Sequence, residues 1–227
     1  MTDIPASLTM VRDAIAAYAR EFSRDPDSVR LVAVSKTRPA SDIAIALKSG
    51  QLDFGENYLQ EATPKLETLA GRGAVWHYIG RIQSNKTREL AARFDWVQTV
   101  DRERIAVRLN DHRPAALPPL NICLQVNVDA EPQKAGVLPG QLAALADAVV
   151  QMPRLRLRGL MAIPAETADF DSQRRAFAQA RELFETLREQ HRALDTLSMG
   201  MSGDLRAAIA EGSTMVRVGT AVFGPRG

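Results

Sequence analysis

Apolar residues recur at spacings of three and four through Leu8, Val11, Ile15, Tyr18 and Phe22, which predicts an amphipathic helix at the start of the chain. The pattern then changes. Leu31-Val32-Ala33-Val34-Ser35-Lys36 is a nearly continuous apolar run, as expected for a parallel strand covered on both faces, and Thr37-Arg38-Pro39 ends it. Ser41 is placed to cap a helix carrying Ile43, Ala44 and Leu47, and Gly50 follows where a left-handed residue terminates helices. Asp53-Phe54-Gly55 predicts a short second strand. Tyr58, Leu59, Ala62, Leu66 and Leu69 then mark a helix that Pro64 should kink or interrupt.

The alternation repeats down the chain. Strands are predicted over Val75 to Ile79, Trp96 to Val100, Leu120 to Val128, Leu157 to Ile163, Thr196 to Met199 and Met215 to Val218. Between them, Ser84 opens a helix and Asp101 caps the next one, which carries Ile105 and Leu109. After Pro139 comes a helix with Leu142, Leu145, Val149 and Val150, stopped by Pro153. Asp169 precedes a long helix with Phe177, Ala180, Phe184 and Leu187 on one stripe and Arg188 near its end, where a cation complements the dipole. A short helix from Gly203 to Glu211 lies between Ser202 and Gly212. Eight strands alternating with helices predict an α/β fold, a (β/α)8 barrel with short connections. An open doubly wound sheet is the rival, but Val34-Ser35-Lys36-Thr37 lacks the Gly-rich dinucleotide fingerprint. No composition shift or low-complexity linker divides the chain, so residues 1–227 read as one domain.

Composition narrows the classes. With 45% hydrophobic and 25% charged residues the chain is an ordinary globular sequence, which excludes disorder and a disulfide scaffold. A formal charge of +2, 5% aromatic content and no reading motif argue against nucleic acid as a partner, so any anion site must be local. The lone Cys123 sits in an apolar run and reads as a small core residue of a protein from a reducing compartment. The start of the sequence lacks the features of a signal peptide, and nothing approaches the ~18 uninterrupted apolar residues of a membrane span, so a cytoplasmic protein is expected. The 3 histidines show no metal-ligand spacing, and no metal is expected.

Candidate chemistry gathers at the predicted carboxyl ends of strands, where barrels of this kind place their functional groups. Lys36 closes the first strand. It is either an amine partly desolvated by its apolar neighbours and able to form an imine with a carbonyl compound, or a lysine extended into solvent. Ser198-Met199-Gly200-Met201-Ser202-Gly203-Asp204 places glycines and serines between strand seven and a helix, which suits either a phosphate cradle or simple helix capping. Arg217-Val218-Gly219-Thr220 ends strand eight and reads either as an ordinary turn with a surface arginine or as part of a phosphate site, since the loops after strands seven and eight are the recurrent phosphate site of such barrels. A phosphate site beside an imine-forming lysine implies a phosphorylated aldehyde or ketone. Gly55-Glu56-Asn57, His77, Gly80, Gln83, Asn85 and Lys86 are weaker pointers near other strand ends.

These residues fall within a larger pattern. Val34-Ser35-Lys36-Thr37, Phe54-Gly55-Glu56-Asn57-Tyr58, Trp76-His77-Tyr78-Ile79-Gly80 with Gln83-Ser84-Asn85-Lys86, Arg158-Gly159-Leu160-Met161, Ser198-Met199-Gly200-Met201-Ser202 and Met215-Val216-Arg217-Val218-Gly219-Thr220 occur in order. With them the chain resembles the pyridoxal phosphate homeostasis proteins, single-domain relatives of the alanine racemase barrel. The resemblance implies that Lys36 holds pyridoxal 5′-phosphate as a Schiff base, that Ser202, Gly219 and Thr220 bind its phosphate, and that Arg217 lies near the pyridine ring or phosphate. Asn57, His77 and Met201 would line the pocket. An arginine cannot accept a proton from the ring nitrogen, and no counterpart of the second domain that supplies a tyrosine base in the racemases is expected here. A non-catalytic, monomeric carrier that buffers the cofactor and delivers it to apo-enzymes is therefore expected. A racemase or other pyridoxal phosphate enzyme, and a lysine-imine aldolase acting on a sugar phosphate, are the alternatives.

Overall fold

The computed structural model describes residues 2–131 and 133–225; the two ends of the domain read as 1–227 lie outside the described residues. Eight parallel strands, β1 (Arg30–Val34), β2 (Asp53–Glu56), β3 (Val75–Tyr78), β4 (Trp96–Val100), β5 (Leu120–Val126), β6 (Leu155–Ala162), β7 (Thr196–Ser198) and β8 (Met215–Val218), pair in sequence order. The sheet closes where β1 pairs with β8, in the register Val32 to Arg217. This is the expected (β/α)8 barrel, and the doubly wound alternative is excluded by the closure.

Helices α1 (Ile4–Glu21), α2 (Ala40–Lys48), α3 (Leu59–Thr68), α4 (Thr87–Arg93), α5 (Glu103–His112), α6 (Leu142–Val150), α7 (Phe170–Gln190), α8 (Leu205–Ala210) and α9 (Thr220–Phe223) surround it. Because α9 has only 4 residues, the outer ring would be open after β8. Helix α1 fills that place, packing on α2, α8 and α9 with Leu8, Val11 and Ile15 buried. The stripe predicted for α7 is its buried face: Phe177, Ala180, Phe184 and Leu187. The Asp169 cap is also present, accepting from Ser172 N at 2.8 Å.

Strand alternation creates two cores. Outward residues such as Leu31, Ala33, Phe54, Ile122, Leu124, Val216 and Val218 pack under the helices. Inward residues form a smaller interior cluster of Val32, Trp96, Cys123, Met161 and Met215. Cys123 is fully buried, and loss of solvation pushes its thiol up to about 12, as befits a core residue.

Several local expectations are corrected. Pro39, with no side-chain bond, stands at the N-cap of α2, and Ser41 lies inside the helix. Pro64 does not interrupt α3, which runs through it. Ser84 begins a 3-10 turn, Ser84–Lys86, that leads into α4. The N-cap of α5 is Arg102, so Asp101 does not cap it and instead pairs with Arg102 at 2.9 Å. These are places where local propensity loses to packing.

Candidate functional site

The end of β1 is a tight turn. Arg38 N donates to Ser35 O at 3.0 Å, and Thr37 takes φ +64°, a left-handed conformation rarely tolerated by a β-branched residue. Glu61 of α3 holds it by accepting from Thr37 N at 3.0 Å. Beneath, Glu56 at the end of β2 accepts from Ser35 Oγ at 2.6 Å and from Lys65 Nζ at 2.8 Å, while Lys65 Nζ also donates to Ser35 O at 2.9 Å. Burial pushes the Glu56 carboxyl above its ordinary value, and the bonds from Lys65 and Ser35 work against that rise. The ion pair thus anchors the residue before Lys36, and the turn presents half-buried Lys36 at the barrel mouth.

Across the β1–β8 seam, Arg217 is buried with its guanidinium donating to Ser198 Oγ at 2.8 Å and to Ala162 O at 3.1 Å. Burial lowers it to about 10, so it stays a cation at neutral pH. Gly219 follows β8 where a Cβ would stand 3.2 Å from Val34 O, which lets the β8 loop lie close on β1. In the β7 loop, Gly200 has φ +97°, and a Cβ there would come within 2.5 Å of Ala208. Asp204, the N-cap of α8, accepts from Met201 N at 2.5 Å and closes this loop into a ring. Burial raises the Asp204 carboxyl, against the pull of that bond and of Arg217.

These parts line one cavity of about 380 Å³ at the carboxyl ends of the strands. Lys36, Thr37 and Arg38 form one wall, Met201, Ser202 and Gly203 a second, and Arg217, Gly219 and Thr220 a third. Ser202 and Thr220 are exposed and Met201 is 42% exposed, so the mouth is open to water. A primary amine, a buried cation and two hydroxyls thus converge at the rim.

The family model for the alanine racemase N-terminal domain matches residues 11–227. A pyridoxal phosphate homeostasis protein from Pseudomonas aeruginosa is 55% identical over 226 residues, covering 100% of this chain and 97% of the relative. The protein of that name from Escherichia coli is 52% identical over 229 residues, covering 100% and 98%. The chain belongs to the pyridoxal phosphate homeostasis protein family. The solved structure of PipY from Synechococcus elongatus with pyridoxal phosphate bound superposes with a TM-score of 0.81 at 40% identity, covering 92% of this chain and 100% of PipY.

Of the residues that the family resemblance singled out, Lys36, Met201, Ser202, Arg217, Gly219 and Thr220 meet in the cavity. His77 and Asn57 do not line it. His77 points into the barrel, pairs in register with Trp96, the first residue of β4, and stacks on that ring at 5.2 Å. It therefore lies below the mouth, enclosed by the strands. Asn57 follows β2, half-buried, with an Oδ1 that is buried and without a partner among the described residues. Arg38, Glu166 and Phe223 also border the cavity and were missed. Arg38 and Glu166 follow β1 and β6, so the strand-end rule applied evenly would have found them. Phe223 is reached only because α9 folds back over the rim, and Arg38 holds that return by donating to Gly224 O at 2.5 Å.

Proposed function

We propose that this chain binds pyridoxal 5′-phosphate, limits the free reactive aldehyde and hands the cofactor to apo-enzymes, acting as a carrier and not as a catalyst. The observation that carries this reading is the convergence of Lys36, Arg217 and the Ser202 and Thr220 hydroxyls on one open cavity. The name of the relatives and the ligand of PipY support it. The residues fit the group by their chemistry: an amine for an aldehyde, hydroxyls and loop N–H groups for a phosphate, and a buried guanidinium for an anion or ring nitrogen. Glu166 is the one carboxylate lining the same cavity among the described residues, and it disfavours a phosphate on its own side.

When bound, pyridoxal phosphate supplies an aldehyde and an electron-withdrawing ring. Lys36 in its neutral form attaches at that aldehyde, its nitrogen replacing the oxygen, which leaves as water; the reverse step releases the cofactor. Ser202, Gly219 and Thr220 hold the phosphate. Arg217 remains a cation and cannot take a proton, so opposite a ring nitrogen it disfavours the protonated ring that carbanion chemistry needs. The open rim gives no shelter from water, which suits exchange of a ligand better than proton transfer. The whole chain is proposed to act as one such domain, and within a reducing, cytoplasmic setting.

The test is an absorption spectrum of the purified protein with added pyridoxal phosphate, followed by borohydride reduction and mass mapping. A visible band, and a modified peptide containing Lys36, are expected for the wild type and absent in Lys36→Ala. A wild type that stays colourless and unmodified defeats the reading, and modification of a different lysine moves the site. Protein that binds no cofactor but is trapped by borohydride with a sugar phosphate points to the aldolase alternative instead.

A further inference from the structure

The barrel interior holds polar groups that the carrier reading leaves unused. His77, Gln98 and Ser198 are all fully buried, on β3, β4 and β7. They form one chain of hydrogen bonds: Arg217 Nη1 to Ser198 Oγ at 2.8 Å, Ser198 Oγ to Gln98 Oε1 at 2.7 Å, Gln98 Nε2 to His77 Nδ1 at 2.9 Å, and His77 Nε2 to Asp53 Oδ1 at 2.9 Å. Asp53 opens β2, so the chain spans the barrel from the cavity to its opposite mouth, where Arg30 stands 3.6 Å from Asp53.

The direction of every link is determined by the ends. A guanidinium only donates, so Ser198 Oγ accepts from Arg217 and its proton goes to Gln98. With its oxygen engaged, Gln98 turns its NH2 toward His77 and makes Nδ1 an acceptor. The imidazole proton is then on Nε2, facing the Asp53 carboxylate. A permanent cation and a carboxylate thus polarise three neutral groups in one sense, and bonds aligned this way reinforce each other in a low dielectric. Removing any link leaves a buried donor or acceptor unpaired and frees Arg217 to reorient.

We propose that Ser198, Gln98 and His77 are positioning residues of the cofactor cavity: through this one-way chain anchored on Asp53 they hold the Arg217 guanidinium, charged and oriented, at its base. The proposal rests on the cofactor reading for its effect on pyridoxal phosphate, but the chain itself is a property of the protein alone. His77, which does not line the cavity, acts on it from within the barrel.

Two measurements on the full chain test this. Without added cofactor, nitrogen-15 NMR of the imidazoles, with His77→Gln for assignment, should show a neutral His77 protonated on Nε2 at pH 7. A ring protonated on Nδ1 overturns the proposal. Next, pyridoxal phosphate is titrated into the wild type, Gln98→Leu, Ser198→Ala and the double variant, and the bound absorption is followed against pH. Each single variant should weaken Kd about tenfold and shift the midpoint of the absorption change, and the double variant should be no worse than the more severe single, because both cuts sever one chain. Multiplied effects in the double variant, or an unmoved midpoint in the singles, overturn the proposal. Cys123→Ala removes volume from the same interior and keeps every link of the chain; it should lower Tm and leave the midpoint in place. Should Gln98→Leu fail to fold, Gln98→Asn takes its place. If the wild type binds no pyridoxal phosphate, the carrier reading fails, and the ring-nitrogen result decides the chain by itself.

Discussion

Thr37 and His77 show what single residues contribute. Among the described residues, Thr37 is the β-branched one of the three non-glycine positions with positive φ, next to Ser23 and Ala130, and it follows the lysine the cavity needs. Left-handed backbone costs an L-residue roughly 1–2 kcal/mol, and glycine avoids this but loses about 0.5–1 kcal/mol of unfolded-chain entropy. Thr37→Gly should therefore leave stability unchanged or raise it by up to about 1.5 kcal/mol in urea unfolding of the cofactor-free protein; a clear loss would show that the threonine side chain itself holds the turn. For His77, burial depresses the imidazole below its ordinary 6.5, outweighing the Asp53 bond that pulls it up. Below pH 6.5 the unfolded chain gains a proton there that the folded chain refuses. The stability held above that pH is lost as pH falls, at up to about 1.4 kcal/mol per pH unit. Comparing urea unfolding at pH 7 and 5.5 should give a steeper loss for the wild type than for His77→Gln; equal slopes would mean that the buried ring takes up its proton as readily as in the unfolded chain.

At the scale of elements, helices and strands were most legible where periodicity was long. The stripe of α7 was readable because over 21 residues the positions Phe177, Ala180, Phe184 and Leu187 can share only one face. Phe177→Ala, at 1% exposure beneath that helix, should cost about 3–5 kcal/mol by urea unfolding, since the cavity it leaves is walled by a rigid barrel. A cost near zero would mean α7 is not docked there. Short elements were less legible. The caps of α2 and α5 were misplaced because a serine or aspartate near a helix start is only a candidate, and the chain's entry angle decides which residue caps.

Across the whole molecule, one barrel carries a cavity at one mouth and a polar chain through its centre. Its exposed large apolar residues, Met10, Ile45, Leu52, Tyr58 and Val107 among them, are spread over many elements. Such residues are ordinary for a protein surface, and on that ground we propose that the chain is a monomer. Sedimentation equilibrium should give a mass near 24.9 kDa, and twice that mass would call for a self-complementary face. Among the described residues no helix is long and apolar enough to cross a membrane.

The order of strands, their parallel sense and the strand ends bearing Lys36, Ser202 and Arg217 were settled by the sequence alone, because hydrophobic period and glycine placement are local and repeat many times. Which buried polar side chain faces which was decided only by closure of the barrel. Asp53, His77, Gln98, Ser198 and Arg217 lie far apart along the chain, and their contacts depend on the register of eight strands at once. A shift of one residue in that register would turn His77 from the interior to the helices, and no short-range pattern encodes so collective a fact.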